Sequence, residues 1–593
     1  MRISYFLTGA LALSLCLPTQ GDYLEEIVVV ANRVEQPLAN TQASVEIINR
    51  EQIAASQSQD LLNLLSGRAG ISLARDGGTG KNTSLFLRGT DSDHTLVYID
   101  NQPINGLSDG RARLEYLPLG QFDRIEIVRG ARSSIYGSEA IGGVVRLFTR
   151  RNEEPSLGGN LSIVSGSYDY QSLSANAQTN FGSTNLQASF SDTYVGGFDS
   201  RISGNPDRDG YNNQSWQLSA DHQFANGNSL RVQQGRTEGN SRYDDSSWTG
   251  GVDGNDDYLR LTTSLKANLK LAPNWQSTLT LGRFKDAFDS NGVFGPFISD
   301  SRQVTASWIN EYKAESGWVG TLGVDHHQDT YESNFLAEEN RDNLALLAFL
   351  DFGTQTFPVN VSMRNDQNEQ YGSHTTGGLT AGYNSDEMGN FWASFTTAFK
   401  APNFFDLYGF GGDPDLQPEE STSAELGWRL LTTDSIYSAA LFRIRTENLI
   451  EFDNTRFQIF NIGNAEISGL ELSAETNLGG FTLGVSFTHL KHENLDTGEE
   501  LVRRPRNTIR LNAGREFSDL TLSLVGLAQS SRSDIGNAEL GGYEVLDVLI
   551  SYQLLEYLTL RGKVGNLFDR DYQLVEGFNT AGRSYQATLN YSF

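Results

Sequence analysis

The sequence predicts an all-β membrane protein, in which an antiparallel barrel of about 22 strands encloses a small N-terminal α/β domain. The first observation is composition, with 60 Gly, 13 Pro and 1 Cys in 593 residues, 10% of which are aromatic. The second is strict alternation of apolar and polar residues over long stretches such as 259–271 and 391–399. The third is that no apolar run of about 18 residues, which a membrane helix requires, follows the N-terminus.

Charge and cysteine content exclude several classes of function. The chain carries 45 Lys and Arg against 73 Asp and Glu, a formal net charge of −28. Nucleic-acid binding needs clustered basic residues, so no nucleic-acid partner is expected. A single Cys excludes a disulfide framework and a Cys-ligated metal site. No nucleophile elbow or zinc-protease pattern occurs, so we expect a protein that is not an enzyme.

The first 21 residues have the pattern of a cleaved secretory signal peptide. Arg2 supplies the positive start, Ile3 to Leu17 is mostly apolar, and small residues precede the expected cleavage after Gly21. A lipoprotein anchored at Cys16 is the alternative reading, but the residue before a lipidated Cys should be small, and here it is Leu15. The sequence therefore predicts export out of the cytoplasm.

Residues 22–150 mix helical and strand patterns and are expected to form the α/β domain. Asp60 stands as a candidate cap before the apolar run Leu61 to Leu65, which predicts a helix. Three short β-rich runs predict strands at Leu85–Leu87, Thr95–Ile99 and Arg124–Val128.

Residues 151–593 are expected to form the transmembrane barrel. In 259–271 the leucines point to one side and Arg, Thr, Ser, Lys and Asn to the other, and 391–399 and 585–593 follow the same rule. Such lengths match membrane-spanning strands of about 9–11 residues, and a sheet in lipid must close so that no edge is unpaired. A soluble β-sandwich or propeller is the alternative, which aromatic residues near the strand ends disfavour.

Several motifs resemble those of TonB-dependent outer-membrane receptors. They include the stretches 86–89, 96–100, 124–130 and 134–145 in the first domain and 399–403, 413–419, 565–569 and 581–583 in the barrel. The resemblance implies a plug domain, the outer membrane and its lipid as surroundings, a monomer, and energy from the TonB protein of the inner membrane. It also implies a TonB box, formed by Glu25, Glu26, Ile27, Val28, Val29, Val30 and Ala31.

Within this family the stretches 94–100, 407–410 and 561–563 are similar to the receptors for cobalamin (vitamin B12). That resemblance implies import of cobalamin or a related corrinoid. The alternatives are import of a ferric siderophore or haem by the same machinery, and a structural or adhesive barrel without transport. By resemblance, the substrate-facing residues are Asn82, Ser84, Asp91, Ser108, Asp109 and Arg503.

Acidic residues crowd the segment from Asp199 to Asp257, where five Arg stand against ten Asp and Glu. Ca²⁺ takes six to eight oxygen ligands, which Asp residues on Gly-containing loops such as 205–210 can supply. A solvated acidic loop is the alternative. The cobalamin receptors bind two Ca²⁺ in similar loops, and this resemblance implies a ligand set of Asp199, Asn205, Asp207, Asp209, Tyr243, Asp244 and either Asp257 or Asp256.

Two other patterns do not support a site. The glycine-rich run Gly77 to Lys81 resembles a phosphate-binding loop, but Arg75 stands at its first Gly and Asn82 replaces the Ser or Thr. The pairs His326–His327 and His489–His492 lack partners at metal-ligand spacing.

Overall fold

The computed structural model describes residues 28–29, 33, 35–150, 157–203, 205–245, 252–293, 295–453 and 456–593. The predicted signal peptide lies outside the described residues, as do Glu25, Glu26, Ile27, Val30 and Ala31 of the predicted TonB box. No helix among the described residues is both long enough and apolar enough to cross a membrane.

A closed barrel of 22 antiparallel strands forms most of the molecule, as the sequence predicts. Each strand pairs with the next, and the last pairs with the first from Asn160↔Ser592 to Gly166↔Gln586. The strands are β10 (Gly158–Gly166), β11 (Tyr170–Phe181), β12 (Thr184–Val195), β13 (Tyr211–Gln223), β14 (Ser229–Asp244), β15 (Asp253–Ala272), β16 (Trp275–Gly292), β17 (Gly295–Lys313), β18 (Val319–Ser333), β19 (Leu336–Gly353), β20 (Pro358–Asn368), β21 (Gly372–Ser385), β22 (Gly389–Lys400), β23 (Glu419–Leu431), β24 (Ser435–Glu447), β27 (Asn464–Leu478), β28 (Phe481–Asn494), β29 (Asn507–Phe517), β30 (Leu520–Gln529), β33 (Tyr543–Leu555), β34 (Leu558–Gly565) and β35 (Ser584–Ser592).

The alternation along each strand separates a lipid-facing from a lumen-facing side. On β15, Leu271 is exposed on the outer side while Arg260 is buried on the inner one. Aromatic residues, including Trp275, Tyr312 and Trp318, lie at the end of the barrel that has short turns. This arrangement follows from the environment, because the hydrocarbon core of the membrane favours apolar side chains on the outer face.

Short turns join the strands at one end of the barrel, and the long loops lie at the opposite end. In an outer-membrane barrel, the location that the sequence predicts, these are the periplasmic and extracellular ends. The long loops carry small elements of their own. These are α4 (Phe404–Tyr408), the hairpin β25 (Ile450–Asp453) with β26 (Gln458–Asn461), and the hairpin β31 (Arg532–Asp534) with β32 (Ala538–Leu540) around a 3₁₀ turn (Ile535–Asn537).

The N-terminal domain fills the lumen as a plug around a sheet of five strands in the order β3-β8-β9-β6-β7. Only β6 and β9 run parallel. The elements are β1 (Val28–Val29), β2 (Gln36–Pro37), β3 (Val45–Ile48), α1 (Arg50–Ser56), α2 (Leu61–Leu65), β4 (Ile71–Arg75), β5 (Thr83–Leu87), β6 (Thr95–Ile99), β7 (Gln102–Pro103), β8 (Phe122–Arg129), α3 (Ser133–Tyr136) and β9 (Gly143–Thr149), with 3₁₀ turns at Leu38–Asn40, Ser92–His94, Leu114–Tyr116 and Leu119–Gln121.

Local signals explain the plug helices. Asp60 caps α2 by accepting from the amide of Asn63 at 2.7 Å, as the sequence predicts. Asn49 and Gln52 form a reciprocal capping box at the start of α1. The leucines of α2 are buried in the main plug core with Ile125 and Ile127 of β8, so the helix is held by packing as well as by its cap.

Candidate functional site

Five carboxylates meet at the extracellular end of the barrel, and we call them the acidic cage. Asp207 and Asp209 lie in the loop between β12 and β13, and Asp199 lies earlier in the same loop. Asp244 ends β14 and is the register partner of Asp253, which begins β15. Two triads offer carboxylate oxygens within 4.8 Å of one another, namely Asp199–Asp209–Asp244 and Asp207–Asp244–Asp253. Asp244 belongs to both, so the cage is one continuous cluster.

The central carboxylate of the cage, Asp244, lacks the partners that a buried charge normally has. Asp244 and Asp209 are buried, and neither carboxylate oxygen of Asp244 has a hydrogen-bond partner among the described residues. Burial and the carboxylates of Asp209, Asp253 and Asp199 raise the pKa of Asp207 above its ordinary value. An oxygen-rich cluster that repels its own charge fits a hard divalent cation such as Ca²⁺.

The other residues of the predicted metal set lie around the cage rather than in the two triads. Asn205 donates to Asp253 at 3.1 Å, and the Tyr243 hydroxyl lies 3.0 Å from that of Ser290. Asp256 and Asp257 are consecutive on β15, so their side chains point to opposite faces. Asp257 accepts from Asn240 at 2.9 Å and from Asn255 at 2.8 Å. Asp253, which the resemblance did not place in the set, joins the cage through its register with Asp244.

The glycine-rich loop of the plug packs directly against the loop that carries the cage. A Cβ at Gly80, where φ is +77°, would overlap the ring of Tyr211, and one at Gly77 would lie 2.7 Å from the Ser200 hydroxyl. Lys81 donates to the carbonyl of Gly210 at 3.0 Å. Burial lowers the pKa of Lys81 to about 8, against the pull of nearby carboxylates. This run is therefore a contact between the plug and the cage loop.

A polar network on the plug faces the extracellular mouth and includes three of the predicted substrate residues. Asn82 donates to Asp76 at 2.8 Å and accepts from Arg111 at 2.9 Å. Asp109 accepts from Arg111 at 2.7 Å and from Arg113 at 2.9 Å. Burial pushes the pKa of Asp109 up, but the two guanidinium groups lower it further, so it lies well below its usual range. The hydroxyl of Ser108 accepts from that of Tyr331 on the barrel at 3.4 Å.

The remaining predicted substrate residues lie apart from this network. Ser84 is half-buried in β5 opposite Ala74. Asp91 forms an ion pair with Arg504 of the barrel. Arg503, at φ +65°, donates to Asp534 at 2.6 Å in the next long loop.

Deeper in the lumen, paired charges hold the plug to the barrel wall. Arg88 is completely buried and forms a bidentate salt bridge with Glu471, in which Nε and Nη2 donate to the two carboxylate oxygens at 3.0 and 2.9 Å. Its remaining nitrogen donates to Glu425 at 2.5 Å. Glu425 also accepts from Trp392 at 2.6 Å, so both carboxylates of this cluster, which we call the arginine anchor, have hydrogen-bond donors.

A second buried contact joins His94 of the plug to Glu419 of the barrel. Burial lowers the pKa of His94, but the carboxylate of Glu419 more than offsets this, so the net effect is a raised pKa. Lys400 lies 2.7 Å from Asp93 and 3.6 Å from Glu419. The carboxylate of Glu419 therefore favours the charged form of the histidine at this interface.

Of the predicted TonB box, the described residues include only the backbone of Val28 and Val29. These two pair antiparallel with Pro37 and Gln36 as β1 and β2. Strand pairing of this segment shows that its backbone groups can serve in a β-ladder.

The site contains residues that the sequence did not reveal, above all Arg111, Arg113 and Arg88. The arginines at 111 and 113 fall in a loop without periodicity, and Arg88 lies in a motif that suggested family membership but no role. The alternating Arg111–Ala112–Arg113 spacing beside Asp109 was the one available signal for the first two.

Comparisons with known proteins agree with this architecture. Residues 37–144 match the TonB-dependent Receptor Plug Domain, and residues 152–567 match the family described as TonB dependent receptor-like, beta-barrel. Similar solved structures include the siderophore receptor PirA from Acinetobacter baumannii, with TM-score 0.81, 17% identity, and coverage of 93% of this chain and 99% of that one.

Two further similar structures are named for ferric enterobactin and for copper. The ferric enterobactin receptor PfeA from Pseudomonas aeruginosa (mutant G324V) has TM-score 0.80 and 19% identity over 93% of this chain and 98% of that one. The copper transporter OprC has TM-score 0.81 and 15% identity over 93% and 98% of the two chains. At these identities the likeness shows the fold, while the family match covers most of the chain. The chain therefore belongs to the TonB-dependent receptors, the transport proteins of the bacterial outer membrane.

Proposed function

We propose that this receptor imports cobalamin or a related corrinoid, with Ca²⁺ bound in the acidic cage. The observation that carries the proposal is the cage itself, in which Asp244 is buried, shared by two triads and without a hydrogen-bond donor among the described residues. We further propose that a single copy works alone, with residues 22–150 as plug and 151–593 as barrel, because the sheet closes within one chain.

The two triads support two bound Ca²⁺ ions that share Asp244. Asp199 and Asp209 would hold one ion, and Asp207 and Asp253 the other, with Asn205 and backbone carbonyls as further oxygen ligands. Bound Ca²⁺ would supply positive charge to the cage and join the β12–β13 loop to the ends of β14 and β15. Ordered loops would then lose less entropy when a large substrate binds.

The plug network supports a substrate with many polar but uncharged groups. The amide of Asn82 and the guanidinium of Arg111 alternate with the carboxylates of Asp76 and Asp109. Burial raises the pKa of Asp76, whereas its neighbours lower that of Asp109. A surface of mixed donors and acceptors suits the amide side chains of a corrinoid.

TonB supplies the energy for receptors of this family, and we propose that residues 25–31 are its contact. A short apolar β-rich segment can add to the edge of a partner sheet through main-chain hydrogen bonds. The existing pairing of Val28 and Val29 with Gln36 and Pro37 would be exchanged for pairing with TonB once substrate binds.

Import of a ferric siderophore is the second candidate. It is favoured by the names of similar structures, PirA and PfeA, which are receptors for siderophores. It is also favoured by aromatic residues at the extracellular mouth, where Phe297 stacks on Phe335 at 6.2 Å and meets Phe405 edge-on.

Equilibrium binding to the purified full-length protein tests the proposal. We expect cyanocobalamin to bind, with an affinity that falls when a chelator removes Ca²⁺, and ferric enterobactin not to compete. The absence of cyanocobalamin binding with and without Ca²⁺ would contradict the proposal, and binding of ferric enterobactin would favour the second candidate.

A further inference from the structure

Cations on the lipid-facing side of the barrel form an ordered row above the apolar belt. On β16, Arg283 and Lys285 continue the outward face that carries Leu279 and Leu281, both exposed. On β17, Arg302 continues the outward face that carries Val304 and Trp308. These side chains therefore leave the barrel toward the membrane and lie on the extracellular side of the apolar residues.

Strand register brings these cations together. Lys285 is the register partner of Arg302. On the other side, Leu261 of β15 pairs with both Lys285 and Arg236 of β14, so Arg236 lies in the same row across the strands. With neighbouring strands about 4.8 Å apart, Arg236 lies about 10 Å from Lys285. Arg283 lies one step nearer the apolar belt. We call Arg236, Arg283, Lys285 and Arg302 the cation row.

Carboxylates lie on the far side of the cation row, away from the apolar belt. Asp300 contacts Lys285 at 2.6 Å and Arg302 at 2.8 Å, and Glu238 contacts Arg236 at 2.5 Å. From the membrane centre toward the extracellular end, the outer face therefore carries apolar residues, then cations, then carboxylates. Arg283 is exposed and has no ion pair among the described residues.

This layering matches the depth profile of an anionic lipid. The apolar belt contacts acyl chains, and the next level outward is where the lipid phosphates lie. Long basic side chains at this level reach head-group phosphates while their stems cover apolar surface. The carboxylates on the extracellular side of the row would repel a phosphate that lay closer to that end, so they fix the depth at which the phosphate can bind.

We propose that the cation row is a binding site for the phosphate of an anionic outer-leaflet lipid, with Arg283 as its unpaired contact. The site is separate from the acidic cage and the plug, because its side chains face the membrane rather than the lumen. It gives the receptor a fixed boundary lipid along β14–β17, the strands that carry two residues of the cage at their extracellular ends.

Intact mass spectrometry of the full-length protein in detergent micelles tests this proposal, with dioleoyl phosphatidic acid and dioleoyl phosphatidylcholine as probes. The wild type should bind phosphatidic acid in preference to phosphatidylcholine. In R283Q/K285Q we expect that preference to fall about tenfold, because two basic contacts at the lipid surface are lost. The charge-preserving R283K/K285R should keep it.

Arg515 provides the matched control, since it lies on the outer face of β29 near the periplasmic turn, stacked on Phe481 and Phe517. R515Q should leave the preference unchanged. Equal binding of the two lipids by the wild type, an unchanged preference in R283Q/K285Q, or an equal loss in R515Q would each overturn the proposal. All three substituted side chains are on the surface, and an unchanged thermal unfolding midpoint verifies that the fold persists.

Discussion

Two of the contacts between the plug and the barrel differ in how their buried charges are paired. At the arginine anchor, two carboxylates surround a buried guanidinium, and Glu425 gains a further donor from Trp392. At the extracellular end, the glycine-rich plug loop packs against the loop of the acidic cage, where Asp244 has no donor. Both regions bury acidic groups beside the plug, but only at the anchor does a plug cation pair directly with them.

The difference separates a permanent contact from a conditional one. Removing the cation from a buried ion pair leaves an uncompensated charge and is strongly destabilising. A buried cluster of like charges is stable only when a cation or protons reduce its charge. We therefore expect the order of the cage to depend on a bound ion, and that of the anchor not to.

Breaking the arginine anchor should have the largest effect. R88M leaves Glu425 and Glu471 buried without their cation, so we expect a loss of about 3–5 kcal/mol in plug stability. Urea denaturation followed by proteolysis of the plug measures it. R208M is the control, because Arg208 pairs with Asp169 on the surface and should cost less than about 1 kcal/mol. Equal effects of the two substitutions would contradict the role of the anchor.

Forcing apart the plug loop and the cage loop should have the next largest effect. The added Cβ of G80A overlaps the ring of Tyr211, and overpacking of this kind costs about 1–3 kcal/mol. Gly227 also has positive φ, +83°, but a Cβ there lies 3.8 Å from its nearest neighbour. G227A therefore carries the backbone cost alone, and thermal unfolding should show a clearly smaller loss for it than for G80A.

Removing one carboxylate from the cage should weaken Ca²⁺ binding without destabilising the loop in the absence of Ca²⁺. D244N removes the carboxylate common to both triads, so we expect Ca²⁺ affinity, measured by calorimetry, to fall at least about tenfold, or 1.4 kcal/mol. Without Ca²⁺ the same substitution should not destabilise the loop, because it removes like-charge repulsion. D257N is the control, since Asp257 is already held by Asn240 and Asn255. A similar loss of affinity in D257N would place the ion elsewhere.

Titration of His94 should give the smallest effect, since a single ionisation contributes. Its pKa is raised in the folded protein, so its stabilising contribution is complete below the unfolded value of about 6.5. That contribution is lost as pH rises through the raised folded value. The difference in urea midpoint between the wild type and H94Q should therefore shrink toward alkaline pH. A difference that is constant across this range would show that His94 acts without its charge.

The sequence predicted the barrel because its signal is local. Alternation within β15 assigns every leucine to one face without knowledge of any partner. The same holds for the phenylalanines of β22 and the tyrosines of β35. Asp60 likewise marks the start of α2 from its immediate neighbours. The short strand Thr95–Ile99 was predicted with its observed bounds for the same reason.

The composition of the cage depends on register and could not be predicted in the same way. Asp253 enters it because β14 and β15 pair so that it faces Asp244, and a shift by one residue would have brought in a different side chain. The partners of Arg88 lie more than 300 residues away in sequence, at Glu425 and Glu471. Such contacts are set by the assembled barrel, not by any local pattern.

The pairing of β10 with β35 has a consequence for assembly. The wall is complete only when the last strand, Ser584–Ser592, reaches the first, so an incomplete chain has two open edges. Open edges cannot persist in lipid, because their amide and carbonyl groups would lack partners. The plug is translated first, yet its binding partners on β22, β23 and β27 come hundreds of residues later. The barrel can therefore close around the plug only after its last strand has been made.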